Sequence, residues 1–175
     1  MDSQRIRITK KMLKDSLTQL LKSKPLHQLS VKEICEAAEI NRTTFYKYYG
    51  SQYDLFEEME QDILVQIGSY LDNGTDFDVN TAQLTLTLTF VNDNIEFCQL
   101  LLNNNIDPQF PRKLVLALQN IPHLNKNNDE KAAYLFDFMI GGGFSLIKRW
   151  INKENREPPQ EMAALLNATI LQVLG

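Results

Sequence analysis

The sequence lacks any run of about 18 consecutive apolar residues, so it offers no candidate membrane span. Its N-terminal stretch, MDSQRIRITKKMLKD, is charged and lacks the apolar core of a signal peptide, and a cytoplasmic location is expected. Cysteine is scarce. Cys35 and Cys98 form no CxxC pair and are expected to be small buried hydrophobes rather than redox-sensing thiols. The two histidines, His27 and His123, stand in no HExxH pattern, so neither a catalytic metal site nor a cofactor is expected. Glycine is also sparse. Gly141, Gly142 and Gly143 have the wrong spacing and context for a nucleotide-binding loop. No nucleophile–base pair or paired-carboxylate pattern stands out, which argues against an enzyme.

What is present is a globular composition with unevenly distributed charge. The chain of 175 residues, 43% hydrophobic and 23% charged, is large enough to bury a core. The net charge of −4 conceals an asymmetry: residues 1–50 hold ten Lys or Arg against five Asp or Glu, whereas residues 51–175 hold eight against seventeen. A basic module on an acidic body can attract phosphates, because screening at physiological salt keeps that attraction local.

The first segment with helical periodicity runs from Thr9, a candidate N-cap, to Lys24, with Leu13, Leu17, Leu20 and Leu21 on one face. Lys10, Lys11 and Lys14, preceded by Arg5 and Arg7, make its start basic, a pattern that more often marks a solvated face than a site. Ser30 followed by Glu33 predicts a capping box and a helix from Val31 that buries Val31, Ile34, Cys35 and Ala38. Asn41 is a second N-cap candidate, starting a short helix from Arg42 to about Tyr48 with Phe45 and Tyr49 inward. Two short helices joined by about three residues form a helix-turn-helix, whose second helix can enter a major groove. Arg42, Thr43, Thr44, Tyr46, Lys47 and Tyr48 remain to face outward, offering cations and hydroxyls to phosphates and base edges. Gly50 and Ser51 then break and recap the chain, and a longer helix over 51–71 buries Leu55, Phe56, Met59, Ile63 and Ile67.

Asp72–Asp78 is a turn-rich linker. In QLTLTLTF, residues 83–90, Leu84, Leu86, Leu88 and Phe90 alternate with Thr as in a strand, but VNDNIEFCQLLLNN beyond it has helical spacing; the whole stretch is read as helix. A short helix follows over 112–121, then a long one over about 130–155. The glycine triplet in that long helix predicts a kink or a close backbone approach. Pro158 and Pro159 open a last helix burying Met162, Leu165, Leu166, Thr169, Ile170 and Val173. Two readings of the triplet are open: packing at a dimer interface that takes in Gly142, Phe144, Ile147, Trp150, Leu166 and Ile170, or a ligand site; Trp150 is alternatively plain core. Phe90, Phe97, Tyr134, Phe138 and Met139 are either a pocket lining or plain core.

With INRTTFYKYYGSQYDLF, and S-V-K-E-I ahead of it, the chain resembles the TetR/AcrR family of bacterial regulators. The resemblance is dense from Arg5 to Met59 and continues more weakly through NIEFCQLLLNNNIDPQF and FMIGGGFSLIKRWI. It implies an all-α fold with a DNA-binding domain over 1–50 and a helical regulatory and dimerisation domain over 51–175, joined by the helix over 51–71. The implied partners are double-stranded DNA with a near-palindromic operator, a second copy of the chain, and a small-molecule effector. The family's DNA-contacting places fall on Lys32, Arg42, Thr43, Thr44, Tyr46, Lys47 and Tyr48, and Phe45 falls on a core position. Two departures stand out: Glu39 replaces the common turn glycine, and Gln52 replaces a lysine that opens the fourth helix.

The reading is therefore a DNA-binding regulator, of repressor type, whose Tyr49–Gly50–Ser51 junction passes effector binding to the recognition helix. The competing class is an interaction protein that keeps the fold but acts through another regulator, for which the weakened phosphate set at Glu39 and Gln52 is the sequence hint.

Overall fold

A computed structural model describes residues 2–72, 80–103, 106–121 and 130–174. All regular structure among the described residues is helical, as expected. The chain divides into two compact units, Met1–Asp62 and Ile63–Gly175. The division falls inside a helix rather than at residue 50. Apart from Asp72, the expected linker Asp72–Asp78 lies outside the described residues, as does His123.

The first unit contains α1 (Asp2–Leu21), a 3-10 turn (Leu26–Gln28), α2 (Val31–Ala37), α3 (Arg42–Phe45) and the start of α4 (Gln52–Asp72). α1 begins seven residues before Thr9, which lies within the helix and caps nothing. Nothing in residues 2–8 breaks a helix, since neither Pro nor Gly occurs there. Leu13, Leu17 and Leu21 form its buried stripe, and the other buried hydrophobic residues of the unit are Leu29, Ile34, Cys35, Ala38, Phe45, Tyr49, Leu55, Phe56 and Met59. Burying side chains of this size contributes about 1.5–3 kcal/mol each before entropy is counted.

α2 starts where its capping box predicts. The Ser30 hydroxyl accepts from the Glu33 amide at 3.2 Å, and the Ser30 amide donates to the Glu33 carboxylate at 3.0 Å. Lys24 and the Ser30 groups hold the Glu33 carboxyl at about 2. α2 ends in a Schellman motif: the Glu39 amide donates to the Glu36 carbonyl and the Ile40 amide to the Cys35 carbonyl, with Glu39 at φ 54°.

The second unit holds the rest of α4 with α5 (Thr81–Asp93), α6 (Ile95–Asn103), α7 (Phe110–Gln119), α8 (Glu130–Ile151) and α9 (Pro159–Leu174). The Leu-Thr run is helical because a capping box between Asn80 and Gln83 starts it. The Thr85 and Thr87 hydroxyls bond back to the Thr81 and Gln83 carbonyls, at 2.7 and 2.9 Å. Leu84, Leu88 and Val91 then recur at helical spacing on the buried side. The helix is interrupted once, at Asn94, between α5 and α6.

α5 packs along α9, and α6 against α8. The corner between α8 and α9 is pinned by Trp150, whose indole N–H donates to the Glu157 carbonyl at 2.9 Å. Arg156 adds two hydrogen bonds to Asn92 on α5. The expected kink is not found, because α8 runs unbroken through Gly141, Gly142 and Gly143. Nor is there a close approach, since a Cβ at any of the three would meet nothing within 4 Å.

Candidate nucleic-acid interface

The helix-turn-helix is built from α2, the Glu39 turn and α3. Asn41 caps α3 by accepting from the Thr43 amide at 2.8 Å. Regular α-helix ends at Phe45, earlier than the expected Tyr48. The last turn tightens: the Lys47 and Tyr48 amides reach back three residues, to Thr44 and Phe45. Phe45 is fully buried and meets the rings of Tyr46 and Tyr49 at 5.6 and 5.5 Å. That anchor fixes the rotation of the short helix and leaves one face to solvent.

On that face Arg42, Thr43, Tyr46 and Lys47 are exposed, and Thr44 and Tyr48 are half-buried. Lys32, exposed on α2, and Arg42 flank a shallow depression over the turn, together with Glu36, Glu39 and Asn41. Lys32 is 3.7 Å from Glu36, a loose and exposed contact. Neither Arg42 nor Lys47 makes an ion pair among the described residues. Two cations, Arg42 and Lys47, and several hydroxyls are thus presented without an ion-pair partner among the described residues, although the Glu36 and Glu39 carboxylates share the rim of the turn with Arg42.

Behind this face lies an ionic cluster that the sequence reading missed. Glu58 of α4 receives Lys10 at 2.7 Å and Lys14 at 2.6 Å from α1, and the Tyr49 hydroxyl at 3.0 Å. Lys14 also reaches Asp62 at 2.5 Å. Burial opposes ionisation of Glu58, but the bonds from Lys10, Lys14 and Tyr49 outweigh it and hold the carboxyl at about 2. Burial and the adjacent Glu58 carboxylate push the Tyr49 phenol well above its usual range. The available signal was a matched spacing: lysines 10 and 14 on one helix, acids 58 and 62 on another, each four apart.

The expected pocket and interface residues are distributed differently in the second unit. It holds a partly open cavity of about 180 Å³ whose lining includes Met139 but not Phe90, Phe97, Tyr134 or Phe138. Phe97 is buried elsewhere, Phe90 packs on Tyr70 at 6.1 Å, and Tyr134 and Phe138 are 67% and 65% exposed. Among the expected interface residues, Phe144, Ile147, Leu166 and Ile170 line the cavity, and Trp150 is core. Only Gly142 stands exposed. The difference is one of helix rotation: Phe136 faces the core, which turns Tyr134 and Phe138 outward. Leu165, expected inside, is 53% exposed, and the Val173 side chain lies outside the description.

A capped helix-turn-helix with free cations on its second helix, attached to a larger helical unit, defines a helix-turn-helix regulator. Two family profiles match the chain: "Bacterial regulatory proteins, tetR family" over residues 15–59 and "Transcriptional regulator C-terminal region" over residues 80–172. The chain belongs to the TetR family of bacterial transcription regulators.

It is 24% identical over 160 residues to the helix-turn-helix-type transcriptional regulator YxbF of Bacillus subtilis, covering 86% of this chain and 42% of that protein. It is 26% identical over 114 residues to the dhaKLM operon transcriptional activator DhaS of Lactococcus lactis, covering 65% and 58%. The chain thus spans about half the length of the curated relatives it matches. Among solved structures, the dihydroxyacetone kinase operon activator DhaS superposes with a TM-score of 0.68 at 19% identity, over 94% of each chain. A TetR regulator from Streptococcus agalactiae superposes at 0.65 and 19%, over 97% of each. At these identities the structures speak for the fold alone.

Proposed function

We propose that the chain is a homodimeric DNA-binding regulator that reads a near-palindromic operator and is controlled by a small molecule held in the second unit. The observation that carries it is the α3 face, where Arg42, Tyr46 and Lys47 project unpaired from a segment anchored by buried Phe45. Arg42 and Lys47 supply phosphate and base-edge contacts, Thr43 and Thr44 hydroxyl contacts, and Tyr46 and Tyr48 phenolic ones; Lys32 adds a charge from α2. Two such modules would read half-sites about 34–36 Å apart.

The second copy docks on the outward face of α8 and α9. Tyr134, Phe138, Leu165 and Leu171 are each at least half exposed there, and Gly141 and Gly142 are exposed without a neighbour. α4 is the helix common to both units, and its start carries Glu58, the partner of Tyr49. A ligand that favours one packing of the second unit changes DNA affinity only by its differential affinity for the two states. The proposed place of action is the cytoplasm, where the DNA is.

Selection of bound sequences from random duplex DNA at physiological salt tests the reading, with Arg42→Ala as control. An enriched palindrome that is lost with Arg42→Ala is expected; no enrichment, with salt-sensitive non-specific binding only, would point instead to a protein partner. A reporter behind the selected site then separates repression, the proposed sign, from the activation for which the DhaS relative is named.

A further inference from the structure

Among the described residues, the cavity of the second unit is lined from α4 to α9 by side chains of which none is charged. Ile63, Val91, Phe136 and Leu166 are typical of the wall, which is mostly aliphatic and aromatic. Its polar side chains are Thr87 and Cys98. The Thr87 hydroxyl already donates to the Gln83 carbonyl at 2.9 Å. Burial pushes the Cys98 thiol up to about 12, so it is neutral and a poor nucleophile. A carboxylate or phosphate drawn inside would shed its water and find no cation or strong donor among the described lining residues in exchange.

Size and shape add a second constraint. An apolar cavity of about 150 Å³ takes benzene; this one, at about 180 Å³, is on the same scale, that of a single-ring hydrocarbon such as toluene. Gly143 lies on its wall, in the middle of an unbroken helix, and a Cβ placed there meets nothing within 4 Å. Glycine inside a helix is unfavourable by about 0.5–1 kcal/mol relative to Ala. No turn, kink or close helix crossing requires it here, so the empty volume is what its missing side chain provides.

We propose that the second unit binds an uncharged, hydrocarbon-like molecule of about toluene's size, and that Gly143 keeps the space for it. The proposal rests on the reading of the cavity as the effector site, and adds the chemical class.

The test compares toluene with benzoate, which replaces the methyl with a charged carboxylate. Nitrobenzene, uncharged and of benzoate's size and shape, is the size control: it should stabilise where benzoate does not. Failure of both nitrobenzene and benzoate would assign the exclusion to size and overturn the charge argument. Toluene should raise the thermal midpoint of the intact protein by about 2 °C or more, and benzoate should leave it unchanged. Gly143→Leu, which places a side chain in the cavity, should abolish the toluene shift. Equal or larger stabilisation by benzoate, or none by either compound, overturns the ligand class. A toluene shift that survives in folded Gly143→Leu overturns the role of Gly143, and if that variant does not fold, the wild-type pair still decides the class. Operator affinity measured with and without toluene separates the two readings: toluene bound with affinity unchanged removes the regulatory role and leaves the ligand class standing.

Discussion

The Tyr49 hydroxyl donates to Glu58 Oε1 at 3.0 Å, so the residue that closes the recognition segment is tied to α4 through a carboxylate that also holds Lys10 and Lys14. Lys10 in addition lies 5.3 Å from the centre of the Tyr49 ring. Tyr49 is buried, and its ring packs on Phe45, so the hydroxyl can be removed without opening the core. Tyr49→Phe should therefore cost about 1.5–3 kcal/mol in urea unfolding, the range for a hydrogen bond to a charged group. Its loss of operator affinity should exceed what that destabilisation produces, because the position of α3 is loosened. Unchanged DNA affinity in Tyr49→Phe would mean that Glu58 supports the fold and does not position α3.

The pH dependence follows from the same carboxylate. Glu58 has its carboxyl lowered from 4.5 to about 2, so the unfolded chain takes up the proton first as pH falls. Its contribution to stability is full above the unfolded value and is lost as pH drops from about 4.5 towards about 2. Wild type and Glu58→Gln should differ in stability by a constant amount, about 1–3 kcal/mol, above pH 5, where Lys10 loses its carboxylate and Lys14 keeps only Asp62. The gap should narrow below pH 4.5. A difference that stays constant down to pH 3 would assign the effect to packing rather than charge.

Glu39 is a positive-φ residue other than glycine, at φ 54°, closing the α2 Schellman motif. An L side chain in that conformation costs roughly 1–2 kcal/mol, part of which glycine returns as unfolded-state entropy. Glu39→Gly should raise stability by up to about 1 kcal/mol, while Glu39→Ala, which keeps the strain, should not. Because the carboxylate also sits beside Lys32 and Arg42 at the rim of the turn, both substitutions should tighten DNA binding. If Ala stabilises as much as Gly, the backbone argument fails and the gain is electrostatic.

The helix-turn-helix was legible because its signals are local. Ser30 with Glu33, Asn41 before Arg42, and buried Phe45 each act within four residues, and the structure places each as the spacing predicts. The strained turn was also readable, since only Glu39 stood where a glycine was expected. What escaped was set by rotation and by distance along the chain. Helical spacing puts Tyr134 and Phe138 on one face of α8, but cannot say whether that face or the one bearing Phe136 and Met139 turns inward. The glycine triplet was read as one feature; in the fold it is two, with Gly141 and Gly142 exposed and Gly143 on the cavity wall. Lys10 and Lys14 of α1 looked like a solvated surface because Glu58 and Asp62, which they reach, each lie 48 residues further on.

That rotation gives the last prediction. Tyr134 and Phe138 lie four residues apart on α8, one turn before Gly141 and Gly142, and Leu165 and Leu171 are exposed on α9. Large apolar side chains in such a row are the anchors from which interfaces draw most of their energy, and exposed glycines beside them let a facing helix approach. Phe138→Glu should leave the helical content intact, since the side chain is 65% exposed in the single chain. It should weaken dimerisation by about 2 kcal/mol or more, roughly thirtyfold, measured by sedimentation equilibrium. Trp150→Ala should behave in the opposite way, unfolding the chain rather than releasing an intact monomer, because that ring is core and holds the Glu157 carbonyl. Loss of the dimer should lower affinity for a full palindrome far more than for a single half-site, since one module then binds without its linked partner. A Phe138→Glu protein that remains dimeric would move the interface off this face of α8.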